Sequence, residues 1–236
     1  MGRKILFLHV HKSGGTSFVA LAKRNCRLAP IHANGNPQDE DGNLIAFWEW
    51  GEAEQAAYFA RDDQDFVARE GPLLGLRALP GVDRVVIARD PFDRFISHYR
   101  QLYVRGRGYR DVGPDTEDAV LAQRHDHKMF DNFLTRQLLA HVPERVGPAE
   151  AAEAAATLES FRFVFALPHL ERDVSAMRAL GWHDFALARE AVHAPEGYDA
   201  LRASCPRLFA AFEEWNHFDR ALFERIAAGR NGALAA

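Results

Sequence analysis

The sequence has only two cysteines, Cys26 and Cys205, which lie far apart and form no CxxC spacing. This scarcity argues against a disulfide framework and against a structural zinc site, so we interpret both as small buried side chains in a reducing cytosol. No apolar run approaches the roughly 20 residues that span a bilayer. The apolar run at residues 5–10 is also too short for the core of a secretory signal. We therefore predict a cytoplasmic protein without a membrane span.

The sequence also lacks a strong excess of charge of one sign. Its 29 lysines and arginines oppose 33 aspartates and glutamates, for a formal net charge of -4. This balance gives no overall attraction to nucleic acid or to an anionic membrane, but it leaves room for a local basic patch. The 236 residues, of which 47% are hydrophobic, suffice for one large core. We predict a single domain over residues 1–236 and no nucleic-acid partner.

Short apolar segments alternate along the chain with segments of helical periodicity. The strand candidates are residues 4–10, 27–32, 65–70, 83–89 and 161–167. Helices are predicted from Thr16, from Pro91, and over residues 115–141, 149–158 and 206–228. This alternation predicts an α/β fold of three layers, with a central, mostly parallel sheet flanked by helices. Such folds bind ligands at the carboxyl ends of the strands, so we expect the chemistry there.

The first strand candidate runs directly into the loop HVHKSGGTS at residues 9–17, which precedes a helix. Adjacent glycines allow a tight turn whose N–H groups face one anion, and the start of the helix adds partial positive charge. The lysine precedes the glycines, unlike the GxxxxGK[ST] pattern, and this disfavours a nucleoside triphosphatase. The loop is therefore P-loop-like. Its candidate anion-binding residues are Lys12, Ser13, Gly14, Gly15, Thr16 and Ser17.

A second motif, RDPFDRFISHY at residues 89–99, follows the fourth strand candidate. Asp90 is placed to cap a helix whose first residue is Pro91. Helical spacing puts the aromatic residues on one face and predicts that Ser97 faces away from the core. Arg89 at the strand end and Ser97 about two turns up the helix could then close on one phosphate. A ligand with a second phosphate group would suit this pair.

Together, the two motifs resemble the HxPKxGGTS and RDPxxRFxSxY segments of the sulfotransferase family that includes heparan sulfate 2-O-sulfotransferases and many bacterial members. The resemblance implies that the loop binds the 5'-phosphosulfate of 3'-phosphoadenosine-5'-phosphosulfate (PAPS), and that Lys12 assists the departing phosphate oxygen. It also implies that Arg89 and Ser97 bind the 3'-phosphate. The chain has His11 where the family usually has proline, which predicts a changed loop geometry or an additional donor. Residues 131–136 resemble the family's NxxTR segment more weakly.

The expected reaction is transfer of a sulfuryl group from PAPS to a hydroxyl or amine of a small-molecule or carbohydrate-like acceptor. Such an in-line displacement releases PAP as its second product. It requires a group on the protein that takes the acceptor's proton. Many relatives use a histidine after the third strand, but this chain has Pro72 in that stretch. We predict Glu70 as the base, with His32 as the second candidate. No metal is required.

Alternative interpretations remain open at the level of the sequence. A small-molecule kinase could use the same loop, and a non-catalytic PAP- or PAPS-binding protein could keep the anion site without a base. Arg136 could touch cofactor or acceptor, or it could form a salt bridge on a helix surface. The pairs His9/His11 and His125/His127 could suggest metal ligation, but no third ligand is evident. No motif identifies the acceptor.

Overall fold

The computed structural model describes residues 3–28, 30–31, 36–74, 76, 78–123, 130–187 and 198–229. These residues form a four-stranded sheet in the order β2-β1-β3-β4. Its strands are β1 (Lys4–Leu8), β2 (Phe66–Arg69), β3 (Val82–Ala88) and β4 (Phe163–Ala166). Every neighbouring pair is parallel, with Phe7 beside both Ala68 and Val85. The predicted α/β fold with a parallel sheet is confirmed.

Helices surround this sheet and connect its strands. The α-helices are α1 (Gly15–Asn25), α2 (Glu52–Phe59), α3 (Pro91–Tyr99), α4 (Glu117–Ala122), α5 (Phe133–Leu138), α6 (Pro148–Glu159), α7 (Leu170–Asp173), α8 (Asp199–Ser204), α9 (Pro206–Trp215) and α10 (His217–Ala228). A π-helical segment, Arg100–Arg105, continues α3. Short 3-10 segments cover Phe47–Glu49, Pro114–Thr116, Leu167–His169 and Val174–Leu180.

The two faces of the sheet bury separate hydrophobic clusters. Alternation along β1 sends Ile5 and Phe7 to a cluster with α1, and Leu6 and Leu8 to a cluster with α2, α5, α6 and α10. These clusters make the sheet the middle of three layers, as predicted. A third cluster joins α3 to α4 and α9, and its largest members include Phe95. The helix α3 is therefore enclosed on several sides, which matters for the side chains it carries.

Three predicted segments differ from the structure. The strand predicted over residues 27–32 is wrong, because in its described part Leu28 and Ile31 make only isolated bridges. The continuous helix predicted over residues 115–141 is also wrong, since α4 ends at Ala122 and α5 starts at Phe133. The last predicted helix is two helices, α9 and α10, which meet at Asn216.

Two asparagines lie immediately before the starts of α5 and α10. Asn132 has a left-handed backbone with φ of 45°, which cannot continue a helix. Its N–H donates to Asn216 Oδ1 at 2.8 Å, and Asn216 Nδ2 donates to the carbonyl of Phe130 at 2.8 Å. The side chain of Asn132 in turn accepts from the Asp219 N–H at 3.0 Å. These long-range bonds replace helical ones, so helical periodicity alone could not reveal the breaks.

Candidate functional site

Three neighbouring strands end at the same edge of the sheet and bring the predicted site residues together. The loop of residues 9–17 follows β1, Glu70 follows β2, and Arg89 follows β3. Because all strands are parallel, their carboxyl ends meet at one edge, where α/β folds bind ligands. The sequence motifs therefore form one contiguous site rather than two separate ones.

The loop of residues 9–17, called the phosphate loop for its predicted role, is compact because Gly14 and Gly15 both lie against other side chains. Gly14 has φ of 83°, and a Cβ there would lie 2.6 Å from Leu167 Cδ1. A Cβ on Gly15 would lie 1.8 Å from the His9 ring, so only glycine fits at this position. Lys12 itself has φ of 66°, a conformation that costs a non-glycine residue energy. The helix α1 then begins at Gly15, as the loop pattern requires.

Lys12 lies among other cations at the centre of the site. Its Nζ donates to Gln101 Oε1 at 2.8 Å, and Arg89 Nη1 donates to the Lys12 carbonyl at 3.1 Å. Burial lowers the pKa of the Lys12 ammonium, and the charges of Arg89 and Arg105 lower it further, while Glu70 opposes the change. This group of cations has more positive charge than its neighbours neutralise. An anion at this position would relieve the repulsion.

Two buried hydroxyls support the same conclusion. Ser13 is 1% exposed and Ser97 is 3% exposed, and neither Oγ has a hydrogen-bond partner within the described residues. A buried polar atom without a partner is costly, and these two lie within the two sequence motifs, so an anionic ligand at the loop would be a suitable partner for them. Of the remaining loop hydroxyls, Thr16 is exposed and Ser17 is half-buried in the first turn of α1.

The predicted position of Ser97 on an outward face is wrong. Its side chain is 3% exposed, and His98 next to it stacks on His11 of the phosphate loop, so this part of α3 lies against the loop instead of solvent. The start of α3 agrees with prediction: Asp90 Oδ1 accepts from the Asp93 N–H at 3.0 Å, and Pro91 is the first helical residue. The cap fixes the helix directly after Arg89.

Glu70 lies on the other side of the loop and contacts its histidine. Oε1 of Glu70 lies 3.0 Å from Nδ1 of His11, and the His11 ring stacks on the His98 ring at 4.4 Å with 9° between the planes. Asn36 Oδ1 accepts from the Glu70 N–H at 2.8 Å. Arg69 Nη1 donates to the Glu70 carbonyl at 2.7 Å. These two bonds hold the backbone of Glu70 at the end of β2.

The other predicted site residues divide into two groups. His32, the second candidate for the base, lies outside the described residues, as do His125 and His127. Arg136 has a structural role, because its guanidinium donates to the carbonyls of Asp131, Pro143 and Glu144 and to the carboxylate of Asp131. The predicted salt bridge is thus present, with Asp131 as its partner, but Arg136 is 3% exposed and the pair is not a surface one. No cluster of three or more potential metal ligands occurs in the part of the chain that the structure describes.

Sequence reasoning missed three residues of the site: Gln101, Arg105 and His98. Gln101 and Arg105 lie in the π-helical segment that continues α3. Helical segments of this kind often occur at functional sites, but their wider turns shift residues away from the ordinary 3.6-residue spacing. The run of six arginines between residues 89 and 110 was the available signal, and it did not single out Arg105 or Gln101.

Most of the sequence is similar to that of a known protein family. A model of the sulfotransferase family matches residues 2–181, which include the phosphate loop, Glu70, Arg89 and Ser97. The chain belongs to the sulfotransferase family. Sulfuryl transfer is thus its class of reaction.

Comparison with solved structures returns a sulfotransferase from Alicyclobacillus acidocaldarius. The similarity extends over 95% of this chain and 100% of that one, with 16% sequence identity and a TM-score of 0.44. No curated protein matches the chain. Among the helices described, none is long and apolar enough to cross a membrane.

Proposed function

We propose that this sulfotransferase uses PAPS as its donor and a hydroxyl or amine of a small or carbohydrate-like molecule as its acceptor. One observation carries the proposal: Arg89 Nη1 donates to the Lys12 carbonyl, and each of the two motifs that contain these cations also contains a buried serine, Ser13 or Ser97, whose Oγ has no partner within the described residues. This arrangement suits a ligand with two separate anionic groups. PAPS has a 5'-phosphosulfate and a 3'-phosphate.

Each part of the site would hold one anionic group of this ligand. The loop of residues 12–17 and the start of α1 would hold the 5'-phosphosulfate, because N–H groups in the first turn of a helix have no intrahelical partner. Arg89 and Ser97 would hold the 3'-phosphate. Arg89 lies 5.5 Å from the ring centroid of Tyr198, which limits where its guanidinium can point. These assignments follow the family's motifs residue by residue.

Bound PAPS supplies a sulfuryl group activated by its link to a phosphate. Lys12 would then offset the negative charge that develops on the departing phosphate oxygen. Gln101 holds the ammonium in place, and Arg89 fixes the loop through the Lys12 carbonyl. On the opposite side of the loop from Arg89, the pair of Glu70 and His11 would accept the acceptor's proton. The reaction needs no metal in this scheme.

The assignment of Arg89 gives the sharpest test of the donor. We expect Arg89→Ala to weaken binding of PAP far more than binding of adenosine 5'-monophosphate, which lacks the 3'-phosphate. A lost charge-assisted bond costs roughly 1.5 to 3 kcal/mol, or about 10- to 150-fold in Kd. Titration calorimetry with both nucleotides measures the difference directly.

Arg225→Ala is the matched control, because Arg225 is a half-exposed arginine that pairs with Glu159 before the amino end of β4. It should leave both affinities unchanged. Equal losses for the two nucleotides in Arg89→Ala would contradict the 3'-phosphate assignment. Wild-type protein that bound PAP but produced no sulfated product from PAPS across a broad panel of hydroxyl and amine acceptors, checked by mass spectrometry, would favour a binding protein instead.

A further inference from the structure

We propose that His11 is the residue that takes the acceptor's proton, and that Glu70 acts through it as a positioning residue. This inference rests on the proposed function and names the base for the same site. It starts from the contact between His11 and Glu70, which joins the phosphate loop after β1 to the end of β2. Proline, the usual family residue at this loop position, could make no such contact.

The contact determines which ring nitrogen is available. Nδ1 of His11 lies 3.0 Å from Glu70 Oε1, so the carboxylate favours the tautomer in which Nδ1 carries the hydrogen. Nε2 then has a lone pair, and within the described residues the ring makes no other hydrogen bond. This is the arrangement that a general base of the carboxylate–histidine type requires.

Packing holds the imidazole in one orientation. The ring of His11 lies on the ring of His98 with an interplanar angle of 9°, and His98 Nδ1 is 3.3 Å from Nη1 of the fully buried Arg94. Glu70 is held by Asn36, as described above. A catalytic group benefits from such support because its geometry is set before the substrate arrives.

Accessibility also favours the imidazole over the carboxylate. The side chain of His11 is 30% exposed, whereas that of Glu70 is 15% exposed. An acceptor that approaches the phosphate loop therefore meets His11 first. Lys12, the next residue, donates to Gln101 and is the group proposed to stabilise the departing oxygen. Base and leaving-group stabiliser are thus adjacent residues of one loop.

The proposed step balances as follows. The acceptor oxygen forms a bond to sulfur while its proton moves to His11 Nε2. The bond between sulfur and the bridging phosphate oxygen breaks, and its electron pair stays on that oxygen, which Lys12 stabilises. The imidazolium that results is stabilised by the Glu70 carboxylate through Nδ1–H. An amine acceptor would follow the same course with nitrogen in place of oxygen.

The test is His11→Asn, because the asparagine amide keeps a donor near Nδ1 but has no basic nitrogen. We expect kcat to fall by about 100- to 10,000-fold, with the Kd for PAP within about threefold of wild type. The acceptor used is whichever compound of the hydroxyl and amine panel gives the highest rate. Glu70→Gln should lower kcat by a smaller factor, because the glutamine amide oxygen still accepts from Nδ1–H of His11. Exogenous imidazole should partly restore His11→Ala.

The matched control is His141→Asn, since His141 lies 4.0 Å from Glu153 in an exposed histidine–glutamate pair. It should keep wild-type activity. A second readout is ¹⁵N NMR of labelled histidine in the PAP complex, where His11 should show hydrogen on Nδ1. An active His11→Asn together with an inactive Glu70→Gln would overturn the inference and make Glu70 the direct base. Hydrogen on Nε2 would overturn it as well. Failure of wild-type protein to bind PAP would instead overturn the proposed function.

Discussion

Lys12 has three features that are rare for an exposed loop lysine. Its backbone is left-handed, its ammonium is bonded to Gln101, and its pKa is lowered by burial and by Arg89 and Arg105. The left-handed backbone and the burial of the charge beside other cations both cost free energy in the protein without ligand, and the bond to Gln101 offsets only part of this. Binding of an anion at this position would compensate for that cost, because it places negative charge next to the cations.

We expect Lys12→Ala to lower turnover by about 100-fold or more without loss of folding. The variant should be at least as stable as wild type at neutral pH, because it removes one cation from the group. Lys23→Ala, an exposed lysine of α1, is the control. Steady-state kinetics and chemical denaturation measure the two effects. Unchanged turnover would remove Lys12 from the mechanism.

The lowered pKa of Lys12 also predicts a difference in pH dependence. Its ordinary value is 10.5, and in the folded protein it is lower, so over the interval between the two values the unfolded chain binds more protons. The stability of wild type should therefore rise with pH across that interval. Lys12→Ala should lack this increase, and denaturation curves at several alkaline pH values would reveal it.

At the scale of elements, a single carboxylate joins α10 to α5. Asp219 of α10 accepts from the N–H groups of Leu134 and Thr135 at 2.7 and 2.8 Å, and from Thr135 Oγ1 at 2.7 Å. The fully buried Arg94 of α3 adds attraction, although burial is the first cause of a raised Asp219 pKa. Asp219 thus serves as an N-terminal cap that comes from a different helix.

We expect Asp219→Asn to lower the free energy of unfolding by about 2 to 4 kcal/mol, because it removes the charge that attracts the buried Arg94 and replaces one accepting oxygen with an NH₂ group that faces a buried donor. PAP affinity of the folded variant should stay near that of wild type, since none of these contacts involves the phosphate loop. Chemical denaturation and calorimetry provide the two measurements. Asp118→Asn, whose exposed side chain pairs with Arg207, should be nearly neutral. A similarly small effect at Asp219 would contradict its capping role.

At the scale of the whole molecule, the distribution of charge is more informative than its total. The net charge is -4, yet Lys12, Arg89 and Arg105 form a positive region at the carboxyl edge of the sheet. Anions that enter this region should stabilise the folded state by binding it alone. The size of the effect depends on how well the anion matches the two parts of the site.

Thermal denaturation with PAP or with ATP and Mg²⁺ therefore distinguishes a PAPS-dependent enzyme from a kinase. At about 100 times its Kd, PAP should add about 2.7 kcal/mol to stability and raise Tm by roughly 5 to 10 °C. ATP with Mg²⁺ should give a much smaller shift at the same concentration, because it lacks a 3'-phosphate for Arg89 and Ser97. A larger shift with ATP and Mg²⁺ would favour the kinase.

The sequence by itself determined the parts of this protein that depend on local interactions. The strands β1, β2, β3 and β4, the phosphate loop and the capped start of α3 were predictable, because periodicity, paired glycines and Asp90–Pro91 act within a few residues. The same motifs predicted that Lys12 and Arg89 bind two anionic groups of one ligand. Parallel strands then required that both lie at one edge of the sheet.

Tertiary structure alone decided what depends on contacts between distant segments. It buried Ser97, which the periodicity of α3 had placed on an outward face, and it buried Arg136 among backbone carbonyls and the carboxylate of Asp131. It also paired His11 with Glu70, which are 59 positions apart by their numbers. No spacing rule links such residues, since their distance is set by how strands order in the sheet. The anion site could therefore be read from motifs, whereas the proposed base required the fold.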